Sequence, residues 1–278
     1  MLDSFITRDG LTLPFWRTRV TGARNTVIFI NALGIEHRLT LELGEAINHR
    51  GADFITWDRR GFPGASEENF RQYGPQNGIN DLCDLIEQLA LQDIVLAAWC
   101  TGAQIALGAI APRAVAPRRL ILFNNPNYFD DGFSGVQGDA IGKICQSIVS
   151  NERKLEFFYE VIGKTIMPVN ASSEEGPEGL SRLQQQLIQA PFTSGQQNLL
   201  RYAHLICNSS DLMQTRRWCA EIMLPTLLVA GAQDHMVASD DAVRLASILP
   251  TARVDIMPDW GHYSLFKRTS QTAAKIIT

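Results

Sequence analysis

Asp93-Ile94-Val95-Leu96-Ala97-Ala98-Trp99-Cys100-Thr101-Gly102-Ala103-Gln104 reads as a short buried strand running straight into a helix, with Cys100 on the turn between them. Apolar, partly β-branched residues fill Ile94 to Ala98. Ala103, Ile105, Ala106, Leu107, Ala109 and Ile110 can line a helix packed on the same sheet. A side chain on so abrupt a turn is pushed out of the backbone and into the open. The residues two positions either side must then be small, so that strand and helix can approach. Ala98 and Gly102 meet that demand.

Working outward, apolar runs alternate with helical spacings. Upstream, Phe5 to Val20 reads as a strand hairpin with Asp9-Gly10 at its turn. Thr26-Val-Ile-Phe-Ile30 is a continuous apolar strand that ends in Asn31-Ala32-Leu33-Gly34. Leu39, Leu41, Leu43 and Ile47 space a helix over Glu36 to Arg50, with Gly51 as its stop. A strand at Ala52 to Trp57 leads into Asp58-Arg59-Arg60-Gly61-Phe62-Pro63-Gly64-Ala65-Ser66, and an amphipathic helix covers Gly78 to Leu91. Downstream, Arg118 to Pro126 supplies a sixth strand. Strands alternating with helices at this spacing mean a mostly parallel sheet.

The rhythm breaks from Asn127 to about Met223, where helix-like segments fall at Ala140 to Val149, Glu152 to Ile162, Glu178 to Ile188 and Gly195 to Ile206. It resumes with a strand at Thr226 to Gly231, followed by Asp234-His235. A helix at Ser239 to Leu249 and a strand at Ala252 to Met257 follow. Then come Pro258-Asp259-Trp260-Gly261-His262 and a last helix from Tyr263. Functional groups in open parallel sheets gather at the carboxyl ends of the strands. Cys100, Asp234 and His262 all fall at such ends.

Together these segments resemble the α/β-hydrolase superfamily, with Cys100 where most members carry serine and Ala98 where most carry glycine. The order nucleophile, acid, histidine is the order of that superfamily. The resemblance implies an α/β-hydrolase fold: a mostly parallel central sheet flanked by helices, with a helical cap inserted after the sixth strand. Its core would be residues 1–126 and 224–278, and its cap residues 127–223. It implies Cys100 as nucleophile, His262 as base, Asp234 as acid, and the backbone N–H groups of Thr101 and Leu33 as the oxyanion hole. Asn31-Ala32 stands where the family usually reads His-Gly. The Asp58 to Ser66 loop resembles a structural family loop, so Asp58 and Arg60 are expected as scaffold, tied together across the turn. Asp259 is only three residues from His262 and would have to fold back on its own loop, which favours Asp234 as the acid. His235 is expected to face solvent or to stand behind the site and not to be the base; His37, His49 and His204 lack any partner pattern and are expected to be structural.

An acyl group passed from a thioester to cysteine stays a thioester, so its activation is kept for transfer. That argues for a cysteine-dependent acyl hydrolase or acyltransferase, with a small-molecule acyl substrate carried on coenzyme A or an acyl carrier protein. Cysteine variants of this kind resemble certain thioesterases and acyltransferases; dienelactone hydrolases, also similar, make a carboxylic ester or lactone hydrolase the alternative. A non-catalytic small-molecule binding protein on the same fold is the third reading. Trp99, Asn31, Phe157, Phe158, Phe192 and Leu200 are the candidates for substrate contact. No metal or organic cofactor is required by this chemistry.

The 278 residues, 45% of them hydrophobic, suffice for one large domain or a core with a lid. A net charge of -4 without a basic run gives no electrostatic case for nucleic acid or anionic membrane. Neither a leader pattern nor a membrane-length apolar run is seen, and a soluble cytoplasmic protein is expected. The five cysteines are scattered without metal-type pairs, and most are expected as buried thiols.

Overall fold

Among the described residues, eight strands form one sheet in the order β1-β2-β4-β3-β5-β6-β7-β8. The strands are β1 (Leu2–Ile6), β2 (Thr12–Thr18), β3 (Thr26–Ile30), β4 (Asp53–Trp57), β5 (Ile94–Trp99), β6 (Arg119–Phe123), β7 (Thr226–Gly231) and β8 (Ala252–Met257). Only β2 runs against the others; every pairing from β4 through β8 is parallel. The structure, a computed structural model, describes residues 2–61, 69–111, 113–126, 136–162, 177–209 and 213–278. Phe62 to Ser66 of the loop after β4, and residues 127–135 and 163–176 of the expected cap, lie outside the described residues.

β3, β4 and β5 are buried along their whole length because helices cover both faces of the sheet. Alternate side chains feed two separate cores. Ile28, Ile55, Leu96, Leu120 and Leu228 pack with α2 (Pro75–Gln88), α3 (Gly102–Ile110) and α9 (Ser239–Ala246). Val27, Phe54, Val95, Ile121 and Val229 pack with α1 (Leu41–Asn48), α10 (Ser264–Lys267) and α11 (Thr269–Ile277). The Asp9-Gly10 hairpin forms as the sequence indicates, with Gly10 at φ +86°.

The described residues of the long inserted span are mostly helical, through α4 (Val136–Ser150), α5 (Leu155–Val161), α6 (Arg182–Thr193), α7 (Gln196–Asn208) and α8 (Met213–Glu221). Helices α4, α5 and α7 build their own core from Ile141, Cys145, Ile148, Leu155, Leu199, Leu200 and Ala203. Helix α8 was not signalled by the sequence. It is no part of the roof: Cys219 and Ile222 join the core beneath α3, and Trp218 lies so close that a Cβ on Gly108 would stand 2.8 Å from its ring.

The loop after β4 is tied differently from the expectation. Asp58 accepts from the backbone N–H of His37 (2.6 Å) and pairs with its Nδ1 (2.8 Å), so the partner of the aspartate is a histidine and not the neighbouring arginines. The reason is topological: β3 and β4 are adjacent and parallel, so the turn after β3 meets the end of β4. Arg60 instead reaches Asp9 of the hairpin turn and buried Asp81 of α2, and remains scaffold. Glu152 supplies the unexpected partner of His204 at 3.3 Å.

Candidate active site

β5 ends and α3 begins with no loop between them, and Cys100 absorbs the turn at φ +51°. The left-handed region is costly for a residue with a Cβ, and it persists only where the surroundings enforce it. Here they do. A Cβ on Gly102 would come within 2.4 Å of the Ile30 carbonyl oxygen, so only glycine lets α3 start this close to β3. Cys100 N–H donates to the Phe123 carbonyl at 3.0 Å and fixes the turn to β6.

The histidine comes from the far side of the sheet. The loop after β8 carries His262, 3% exposed, beside the end of β7. Its Nδ1 lies 2.7 Å from Oδ2 of Asp234, while Oδ1 of Asp234 accepts from the N–H groups of Met236 (2.8 Å) and Val237 (2.9 Å). The carboxylate is therefore held at both oxygens. On its other side the imidazole shares the wall of one cavity with Cys100. Burial disfavours a charge on His262, but the Asp234 carboxylate, its hydrogen bond and the Cys100 sulfur outweigh that and raise the imidazole to about 10. Asp259 is exposed and pairs with Arg268 at 2.6 Å; His235 faces solvent.

Two residues that pattern reading did not single out as supports hold this loop. Asn124, buried at the end of β6 with φ +45°, accepts from Gly231 N–H (3.0 Å) and donates to the carbonyls of Gly261 (3.2 Å) and His262 (3.0 Å). Glu178 accepts from Tyr263 N–H and from Ser264 Oγ, both at 2.9 Å, so the inserted span also grips the histidine loop. An asparagine directly after a strand is a weak signal, because its partners here are backbone atoms more than a hundred residues away.

Ala32, Leu33, Cys100, Thr101, Ile141, Tyr202, Ile206, Met236, Val237 and His262 line a cavity of about 40 Å³. Its walls are mostly apolar, and helices α4 and α7 roof it. None of the six expected substrate contacts is among these lining residues. Trp99 is buried beneath His262 and donates its Nε1–H to that residue's carbonyl at 3.2 Å. Asn31 is buried at the carboxyl end of the central strand β3, with its amide nitrogen 3.5 Å from Thr56 Oγ1 and its backbone carbonyl accepting from Arg59. Phe192 and Leu200 face the core of the inserted helices, Phe158 packs at its margin, and Phe157 is 64% exposed. The helical phase explains the shift: on α7 the cavity is met by Tyr202 and Ile206, four apart, and not by Leu200.

Thr101 and Leu33 do meet, but in an unexpected way. Leu33 N–H donates to Thr101 Oγ1 at 2.7 Å, so that hydroxyl occupies the N–H. Burial pushes the Cys219 thiol up to about 12 and raises Cys83, Cys145 and Cys207 as well. Among the described residues no cluster of ligands could hold a metal ion, and no helix is long and apolar enough to cross a membrane.

An esterase from Exiguobacterium antarcticum is similar in structure, with a TM-score of 0.74 and 16% identity, covering 100% of this chain and 98% of its own. A bromoperoxidase from Bacillus anthracis gives 0.74 at 17% identity, covering 100% and 99%. A thioesterase domain from the curacin biosynthetic pathway gives 0.72 at 16%, covering 100% of both chains. At such identities the likeness is one of fold. No curated protein matches in sequence. Residues 27–275 match the Alpha/beta hydrolase family, which spans the sheet from β3 to α11, and the chain belongs to that family.

Proposed function

We propose that the protein is a cysteine-dependent acyl hydrolase or acyltransferase that works through an acyl-Cys100 intermediate, with a thioester as donor. The observation that carries this reading is the alignment of Cys100, His262 and Asp234 at the rim of an apolar cavity. A cationic imidazole beside the sulfur is the partner an attacking thiolate needs. The sulfur attacks the acyl carbonyl, an S–C bond forms, and the carbonyl π pair moves to oxygen on the Leu33–Thr101 wall. Capture of that charge is worth about 3 kcal/mol per donor. Collapse expels the leaving group, which takes the proton from His262. The neutral imidazole then accepts the proton of water, an amine or an alcohol as it attacks the acyl-enzyme. Asp234 stays ionised and holds the imidazole.

Cysteine favours the thioester reading because the acyl-enzyme is itself a thioester, nearly isoenergetic with a coenzyme A or carrier-protein donor. The apolar lining suits the acyl chain. The test is intact-mass spectrometry of the protein with panels of acyl thioesters, esters and lactones, with Cys100→Ala as control. A Cys100 adduct that forms and turns over with thioesters supports the proposal. Turnover of esters or lactones alone would replace it with the ester reading, and tight reversible binding without an adduct would make the protein a binder.

A further inference from the structure

Thr101 stands where a helix-capping residue should, yet it does not cap. As the residue before α3 its hydroxyl would ordinarily fold back onto the free N–H groups of the first turn, but it makes no such bond. It reaches across to the turn after β3 instead and accepts the Leu33 N–H at 2.7 Å. Both residues are buried, and both line the cavity beside Cys100 and His262. A hydroxyl has two acceptor lone pairs and one proton. Here Leu33 fills an acceptor site, and among the described residues the hydroxyl is the donor in no hydrogen bond.

We infer that the Thr101 hydroxyl is the side-chain donor of the oxyanion pocket: it accepts the Leu33 N–H and gives a hydrogen bond to the substrate oxygen. The inference rests on the acyl-transfer reading of Cys100. In this arrangement Leu33 N–H acts through Thr101, polarising the O–H that faces the cavity. Thr101 then offers the oxyanion two donors, its hydroxyl and its backbone N–H at the start of α3, where the amides have no carbonyl one turn back. As the sulfur adds and the π pair moves to oxygen, both bonds shorten; when the intermediate collapses the pair returns and the hydroxyl keeps its proton throughout. A serine would supply the same hydrogen bond. Valine, of the same shape, would not.

The experiment compares the full-length wild type with Thr101→Ser, Thr101→Val and Thr101→Ala. Single-turnover acylation of Cys100 by acetyl to octanoyl thioesters of N-acetylcysteamine is followed by intact mass. Inhibition by the matching aldehydes is measured beside it, because an aldehyde adds to Cys100 reversibly and places an oxygen where the oxyanion forms. Thr101→Val should slow acylation on the order of 10²-fold and weaken aldehyde binding in parallel, with KM changed by only about twofold, as expected for a contact made in the transition state. Thr101→Ser should stay within about fivefold of wild type. Should Thr101→Val fail to fold, Thr101→Ala gives the same comparison. Acylation by Thr101→Val at the wild-type rate or faster overturns the inference, since the released Leu33 N–H would then be the true donor. A wild type that forms neither acyl nor aldehyde adduct overturns the nucleophile itself, which is a separate failure.

Discussion

At position 234 a carboxylate is buried with both oxygens engaged, while the carboxylate at 259 is 63% exposed and spent on an arginine. Asp234→Asn keeps the shape but offers His262 an amide, which favours the wrong tautomer; kcat should fall by about 10⁴-fold at neutral pH. Asp259→Asn should change it by less than about threefold, as for an exposed ion pair. Steady-state rates of the two variants decide, and the reverse order would remove Asp234 from the role of acid. His262 carries a pH signature. Its pKa in the folded protein, about 10, lies above the ordinary value near 6.5, so the native state holds a proton that the unfolded chain releases. The stabilisation is full below about pH 6.5 and is lost as pH rises through about 10. The stability difference between wild type and His262→Gln should accordingly shrink over that window in denaturant titrations; a constant difference would show that the imidazole is uncharged. Cys100, Asp234 and His262 could be picked out of the sequence because each follows a readable strand end. Trp99 and Asn31 also lie beside strand ends in the sequence, but strand alternation turns Trp99 into the core under His262 and Asn31 is buried at the end of β3, so neither lines the cavity.

Among the elements, β6 shows how strand ends are joined into the candidate site. Asn124 bonds β7 and the loop after β8 at once, so the acid loop and the histidine loop share one side chain. Asn124→Asp is nearly isosteric but turns an acceptor toward the carbonyls of Gly261 and His262. The histidine loop should shift, and kcat should fall on the order of 10²-fold with KM little changed. Stability should drop by about 1–3 kcal/mol, as for a buried group left unsatisfied. If kinetics are unaffected while stability drops, the residue braces the fold alone. Strands and core helices were legible because their apolar periods are strong and continuous. The inserted helices were legible as helices, but not in phase. Several faces of α4 to α7 are apolar, and only packing decides that Tyr202 and Ile206 roof the cavity while Phe192 and Leu200 seal the cap. Helix α8 escaped notice because Met213-Gln-Thr-Arg-Arg-Trp-Cys-Ala-Glu221 is largely polar in sequence, although Trp218, Cys219 and the following Ile222 join the core.

For the molecule as a whole, the site is assembled from remote parts of the chain. The Leu33–Thr101 bond spans 68 residues, Asn124 to His262 spans 138, and Trp99 to His262 spans 163. Contacts of such long range form late, after the loops between them have been closed. On dilution from denaturant, helical circular dichroism should recover ahead of Cys100 acylation; coincident recovery would mean that the site condenses with the helices.

The Trp99–His262 bond also bears on the chain as it is made. At about 5–20 residues per second, roughly ten seconds or more separate the synthesis of Cys100 from that of His262. Throughout that interval the thiol has neither the His262 imidazole nor the Asp234 carboxylate behind it. On the acyl-transfer reading proposed above, reaction at Cys100 is thus deferred by the order of translation.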